Sequence, residues 1–232
     1  MNQEIGNTAI VVFIRSISEE VRVKSFSNSN SRNQTKKVVK ELNRHIIKLS
    51  KKTHLPVIVG NENIQSGFSF GERLKSVCQH AFSQGFENLI LVGNDCLQVD
   101  SNSLLHVNQE LKEKDVVLGP TSDGGIYLLG ISRKGFFSID IAKQLWQTSN
   151  LFDTLLNDFY GKNISVEILD FQEDIDDLSQ LKIELQQYSK FSIFRKKIEL
   201  LFSTTRLFFN TIQIYFSSEI YCSQTLRGPP AA

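Results

Sequence analysis

VVLGPTSDGGIYLLG, residues 116–130, sets two short apolar runs, 116–118 and 126–129, on either side of a turn made of Gly119, Pro120, Thr121, Ser122, Asp123, Gly124 and Gly125. Each run is too short for a helix and reads as a buried strand. Pro120 fixes its own φ, and the paired glycines allow positive φ and close approach of another molecule to the backbone. Asp123 is the only charge in the turn. A carboxylate there either caps its own turn or meets a cation, a set of donors or a metal.

Outward from this stretch the chain alternates. Apolar runs at 9–14, 56–60 and 89–92 read as further strands, and SVEIL at 165–169 as a last one. Between them, apolar residues at helical spacing predict helices over 35–52, 69–84 and 101–112, a mostly helical segment over 136–157, and a helix from Leu178. Gly85 stands where a C-terminal cap belongs, and Asp100 or Ser101 where an N-cap does. Residues 15–33 read as a polar loop carrying Arg22 and Lys24. Strands alternating with helices predict an α/β fold: a three-layer sandwich with a mostly parallel central sheet and helices on both faces. Residues 1–188 make this domain, and 189–232 a C-terminal helical appendage.

Composition narrows the function. A hydrophobic content of 41% supports a full core, and a net charge of +1 gives no bulk reason to bind nucleic acid. Cys78, Cys96 and Cys222 share no metal-ligand or redox spacing, and their odd number argues against a disulfide framework. The first apolar run follows Glu4 with no Lys or Arg before it, a poor signal peptide, and no run has the length of a membrane span. A cytoplasmic setting is expected.

In such sheets ligands bind beyond the carboxyl ends of the strands. The polar residues there are Arg22 and Lys24, Gln65, Asp95, Asp123, Asp174 and Asp176. Carboxylates gathered at one edge repel unless a cation sits among them, and oxygen-only ligands suit Mg or Mn. The pattern points to a metal-dependent enzyme acting on a nucleotide or sugar phosphate.

At these residues the chain resembles bacterial GT-A-type glycosyltransferases of the nucleotide-diphospho-sugar transferase superfamily, the arsenosugar-type group, related to phospholactate guanylyltransferase. LGPTSDGGIYLLG is close to that family's LGPxxDGGYYLIG. Residues 93–96 (GNDC) match GSDxP with Leu97 in place of Pro. Residues 70–74 (FGERL) match LGERM, Trp146–Gln147–Thr148 matches WST, and Asp174–Ile175–Asp176 matches the start of DVDTPEDL. The resemblance spans roughly residues 9–181. It implies a GT-A-like fold and a metal, Mg or Mn, on Asp95 with Asp174 or Asp176. It implies nucleotide contacts at Arg22, Lys24, Gln65, Arg73 and Asn94, acceptor contacts at Gly124, Gly125, Tyr127, Trp146 and Thr148, and Asp123 as a base if burial raises its pKa. Trp146 has the alternative of a plain pocket wall, and Arg73 of an ion pair. The partners implied are a nucleotide or nucleotide-sugar donor and a small-molecule acceptor.

The first loop departs from the family's FxKxPxxGxVKTRL. Lys24 survives and Arg15 stands near the first Lys, but the Pro and Gly are gone and Glu19 and Glu20 have arrived. The expected function is a metal-dependent glycosyltransferase on a small acceptor. The alternatives are a nucleotidyltransferase acting on a phosphorylated small molecule and a non-catalytic relative. Residues 191–216 carry two apolar lines, one through Phe191, Phe194, Ile198, Leu201, Thr205, Phe208, Ile212 and Tyr215, the other through Ile193, Leu200, Leu207 and Ile214. One helix face can cover the chain's own core, and the second predicts a homodimer contact or a membrane-surface contact.

Overall fold

The computed structural model describes residues 7–27, 31–190 and 192–203. By packing the chain divides into two units, Met1–Ser189 and Lys190–Ala232.

The first unit is built on a six-stranded sheet ordered β2-β1-β3-β5-β4-β6, from β1 (Thr8–Phe13), β2 (Val57–Gly60), β3 (Asn88–Val92), β4 (Val116–Pro120), β5 (Ile126–Ser132) and β6 (Val166–Ile168). β2 and β3 pair parallel with β1, and β6 parallel with β4. β5 runs antiparallel to both neighbours, because the short turn that follows β4 can only make a hairpin. The mostly parallel sheet expected from the alternation is therefore present, with one reversed strand inside it. The hairpin register shifts between Gly119 and Pro120, a bulge that bends β4 next to the turn.

Every residue of β1 is buried, as its unbroken apolar sequence requires. Its alternate side chains serve two cores. Ala9, Val11 and Phe13 join Leu74 and Val77 of α3 (Phe70–Ser83) and Leu155 and Phe159 of α6 (Leu151–Gly161) on one face. Ile10, Val12 and Ile14 join Ile46 of α2 (Arg32–Lys52) and Leu104 and Val107 of α4 (Ser101–Glu110) on the other. Helices thus cover both faces of the sheet. Asp100 caps α4, and Gly85 takes a left-handed φ of 95° after α3. No helix among the described residues is long and apolar enough to cross a membrane.

Two segments differ from expectation. Residues 15–33 are not all loop: α1 spans Ile17–Val23, because Ser16 and Glu19 close a capping box that satisfies orphan amides at its start. Residues 136–157 are not one helix. They form α5 (Arg133–Ser138), a 3-10 turn (Ile141–Lys143) and α6, with an irregular segment between. Asp140 and Thr148 bond to nearby backbone instead of letting a helix run through, and Gln147 sits at a φ of 65°.

α7 (Leu178–Gln187) closes the first unit, and the second unit begins with α8 (Ile193–Ser203). In α8, Phe194, Ile198 and Phe202 are buried, whereas Ile193 and Leu200 are exposed. Of the two apolar lines expected over 191–216, Phe191 and everything after Ser203 lie outside the described residues.

His45 of α2 stands 3.0 Å, through Nε2, from the Tyr188 hydroxyl. Burial, with Lys52 and Lys48 nearby, lowers its pKa from 6.5 to about 4. The unfolded chain takes up this proton below pH 6.5 while the folded chain refuses it until about 4. Stability from this group is therefore complete above 6.5 and falls across that window on acidification. After discounting for partial exposure, the loss is about 2 kcal/mol. Urea melts at a series of pH values should show a shallower acid slope for His45→Gln than for the native chain.

Candidate functional site

A cavity of about 500 Å³ opens at the C-terminal ends of β1 and β3 and beside the β4–β5 turn, where a sheet of this topology places its ligands. Its charged lining residues are Arg15, Glu20, Lys24, Asp95, Asp174 and Asp176. Its apolar lining residues include Phe13, Phe70, Leu74, Leu129, Trp146 and Leu151, and the Arg15 guanidinium lies over the Phe70 ring at 5.4 Å from its centroid. Asp123, Gly125, Gln147, Thr148 and Ser149 add polar atoms to the lining.

Lys24 organises the charged residues. It follows α1 and is 5% exposed. Its Nζ donates to the Ile175 carbonyl at 3.0 Å and lies 3.6 Å from Asp95 Oδ2, 3.6 Å from Asp176 Oδ1 and 4.0 Å from Glu20 Oε2. Ser25 N donates to Asp176 O, and Ile175 N to Asp95 O. Three loops, after α1, β3 and β6, are thereby clasped together. Burial raises the pKa of Glu20. Asp174, pushed up to about 8 by burial and then by Asp95, has an Oδ1 that is buried without a hydrogen-bond partner.

The acidic run after β6 sorts itself. Asp177 caps α7 in a capping box, and Glu173 accepts from Ser122 Oγ at 2.5 Å. Asp174 and Asp176 remain for the cavity. Among the described residues no group of three His, Cys, Asp or Glu is placed to hold a metal ion. The donor set still fits a hard divalent cation that uses one or two carboxylates and takes its other ligands from water and phosphate oxygens. The orphaned Asp174 Oδ1 is the atom that such a cation would satisfy.

Asn94, Tyr127 and Trp146 also line the cavity. Asn94 is buried and donates to Asn43 Oδ1 of α2, and the Tyr127 hydroxyl donates to the Asp170 carbonyl at 3.3 Å. Trp146 Nε1 donates to the Ile141 carbonyl at 2.7 Å.

Other sequence-derived residues fall elsewhere. Arg22 is exposed on α1, and it, Gln65, Arg73 and Gly124 do not line the cavity. Gln65 Nε2 donates to both the Ile14 and Gly60 carbonyls at 2.8 Å, stitching the ends of β1 and β2. Arg73 Nη1 pairs with Glu19 at 2.7 Å, so the ion-pair alternative describes it. Gly124, at a φ of 88°, is where the β4–β5 turn meets the irregular segment: a Cβ on it would lie 1.9 Å from the Ser149 carbonyl oxygen. Asp123 is exposed, and its Oδ1 accepts from Thr121 Oγ1 and Gly125 N at 2.5 and 3.1 Å. The burial expected of it is absent, because the turn lies beyond the ends of β4 and β5 rather than inside the sheet, so a role as a base has to rest on its position at the cavity alone.

Apart from Trp146, the apolar lining was not anticipated as a surface for ligand. Phe70 and Leu74 read as the core-facing stripe of α3, and only the end of that stripe emerges into the cavity. Cys78 and Cys96 are buried, and burial pushes the Cys96 thiol up to about 12, which excludes thiolate chemistry there.

Against known proteins, a family model described as "Uncharacterized protein conserved in bacteria (DUF2064)" matches residues 58–143. That segment, under half of the chain, contains Asp95 and the β4–β5 turn but neither Lys24 nor Asp174 and Asp176. No curated protein matches the sequence. Among solved structures, a Desulfovibrio desulfuricans G20 protein named "putative nucleotide-diphospho-sugar transferase" aligns over 86% of this chain and 98% of its own, at 16% identity and a TM-score of 0.70. The two chains share a fold. Looser likenesses are to Rv0371C of Mycobacterium tuberculosis H37Rv in complex with manganese (13% identity, 78% and 99% covered, TM-score 0.42) and to the 4-diphosphocytidyl-2C-methyl-D-erythritol synthase of Anaerococcus prevotii DSM 20548 (10% identity, 79% and 96% covered, TM-score 0.45). Neither is near enough to bear on this chain's chemistry.

Proposed function

We propose that the chain is a divalent-metal-dependent glycosyltransferase that uses a nucleotide-activated sugar and a small acceptor. The observation that supports this most is one cavity lined both by an oxygen-rich acidic cluster and by apolar and aromatic side chains. Asp95, with Asp174 or Asp176, would hold Mg or Mn, which when bound offsets charge on the donor's phosphates. Lys24 and Arg15 are the cations within reach of those phosphates. In the transfer, the acceptor oxygen forms the new bond to the sugar, the sugar–phosphate bond breaks with its electrons going to the nucleotide, and the acceptor proton leaves to a carboxylate. Asp123, beside the acceptor side with one oxygen held by its turn, is the residue we assign to orient that hydroxyl and receive its proton.

Nucleotidyl transfer to a phosphorylated acceptor is the weaker reading. Arg15 and Lys24 are the cavity's two cations against five carboxylates, and both already face carboxylates. A non-catalytic relative is supported by one observation: Lys24 is pinned by the carboxylates that would otherwise receive a metal.

The test is thermal stabilisation. A donor at about a hundred times its dissociation constant adds about 2.7 kcal/mol, which in a chain of this size raises Tm by roughly 5–10 °C. We expect a shift of that order with at least one nucleoside diphosphate or nucleotide sugar, dependent on Mn or Mg and reduced in Asp95→Asn. No shift across a uridine, guanosine and adenosine panel, with and without metal, would put the non-catalytic reading ahead.

A further inference from the structure

We infer that the acceptor carries an uncharged, planar or ring-shaped apolar group, and that this group seats against Phe70 and Trp146. The inference rests on the glycosyltransferase reading and narrows its acceptor class.

The wall is mostly carbon, with the Arg15 guanidinium over the Phe70 ring at 5.4 Å from its centroid. Phe70 packs edge-on against Phe13 at 5.2 Å between centroids and tilted against Trp146 at 5.4 Å. The indole N–H of Trp146 is already given to the Ile141 carbonyl, so the ring has no polar group left to offer. Leu74 and Leu129 line the same cavity at 4% and 3% exposure. Trp146 is also held in place: a Cβ on Gly71 would lie 2.8 Å from its Cδ1 and 2.4 Å from the Ala142 carbonyl oxygen, so the start of α3 and this segment meet in backbone contact. A polyol would leave hydroxyls against this wall without partners, a cost that an apolar ring avoids.

The donor's base is also planar, and one feature assigns the wall to the acceptor instead. Trp146 and Leu151 flank Ser149, whose carbonyl Gly124 touches, which puts the wall beside Asp123. Arg15 reaches the Phe70 end of the wall, so the ring group is assigned to the Trp146 end, nearest the turn.

Trp146 is the chain's only tryptophan, so its emission reports on this wall alone. The experiment titrates the full chain, without nucleotide or metal, with 2-phenylethanol and cyclohexylmethanol, with myo-inositol as the polar control and uridine, adenosine and guanosine as free nucleosides. The expected result is a saturable emission change with the two ring alcohols and protection of Trp146 from acrylamide quenching, with neither effect from inositol or the nucleosides. Phe70→Ala should weaken the ring alcohols roughly fivefold or more, the scale of one lost aromatic contact. Should that variant not fold, the acrylamide arm on the native chain decides alone. A response to nucleosides, or to inositol as strongly as to ring alcohols, overturns the inference, as does no response to any of them. Because metal and nucleotide are absent, failure here leaves the thermal-shift test of the transferase reading untouched, and failure of that test leaves this binding result standing.

Discussion

Lys24→Met should lower stability by about 3–5 kcal/mol, the range for removing one partner of a buried charge group, and Tm by roughly 6–20 °C. The methionine keeps the length of the stem and removes only the ammonium. Three carboxylates then lose the ammonium beside them, and Glu20 keeps only its pairing with Arg15 at 3.9 Å. Asp95 and Asp176 recover part of the loss from water, their side chains being 33% and 65% exposed, but Glu20 at 4% cannot. The Ile175 carbonyl also loses its donor. Two further outcomes distinguish this cause from lost packing. The pKa of Glu20 is already raised by burial, and without Lys24 its neutral form is favoured further. Its penalty is therefore present above the unfolded carboxylate range and shrinks as pH falls toward it, so the gap between variant and native chain should narrow on acidification. Adding Glu20→Gln to Lys24→Met should restore part of the loss, a coupling that a double-mutant cycle from denaturant melts reads directly. Equal losses at pH 7 and pH 5, with no coupling, would mean that the ammonium is not what holds the clasp.

The second large effect is expected at Gly124. Gly124→Ala puts a side chain where φ is 88° and where its first carbon meets the Ser149 carbonyl oxygen at 1.9 Å. The left-handed backbone alone costs about 1–2 kcal/mol for a residue with a Cβ. Relieving the clash separates the turn from the irregular segment and endangers the bond from Phe152 N to the Gly124 carbonyl, about 1 kcal/mol more. The sum, about 2–3 kcal/mol, corresponds to a fall in Tm of roughly 4–12 °C. Because the segment that moves carries Trp146, its emission should shift in the folded variant, whereas Gly161→Ala, with open space around its Cβ, should change neither.

Most of the sheet could be read from sequence because β1, β3, β4 and β5 are buried almost throughout, so their apolar runs are nearly unbroken. The site was legible in part, and for the same reason: Asp95, Asp123, Asp174 and Asp176 stand just past strand ends. What could not be read was how the charges pair across long separations. Nothing local says that Lys24 meets Asp95 and Asp176, or that Arg73 meets Glu19, since these partners are brought together only by the sheet's topology. Glu19 and Glu20 read as intruders in a phosphate loop, yet one completes a capping box and the other is a buried counter-charge. Gln65 misled for a related reason: a polar residue after a strand serves a ligand or the backbone equally well, and here two carbonyls claim it. The break between Ser138 and Leu151 was hidden by apolar residues at near-helical spacing, which short polar side chains bonding to their own backbone override.

The reversed strand has a bearing on how such a cavity can diverge. In a wholly parallel sheet each strand reaches the ligand edge once, at its end, and must cross back through a helix before the next. β5 instead starts at that edge, five residues after β4 arrives there. Insertions between Thr121 and Gly125 would therefore lengthen the cavity's rim at Asp123 while the ladder from Val116 to Leu118 keeps its pairing on both sides. On the transferase reading proposed above, editing this single hairpin tip would change the side assigned to the acceptor and leave Lys24, Asp95, Asp174 and Asp176 where they are.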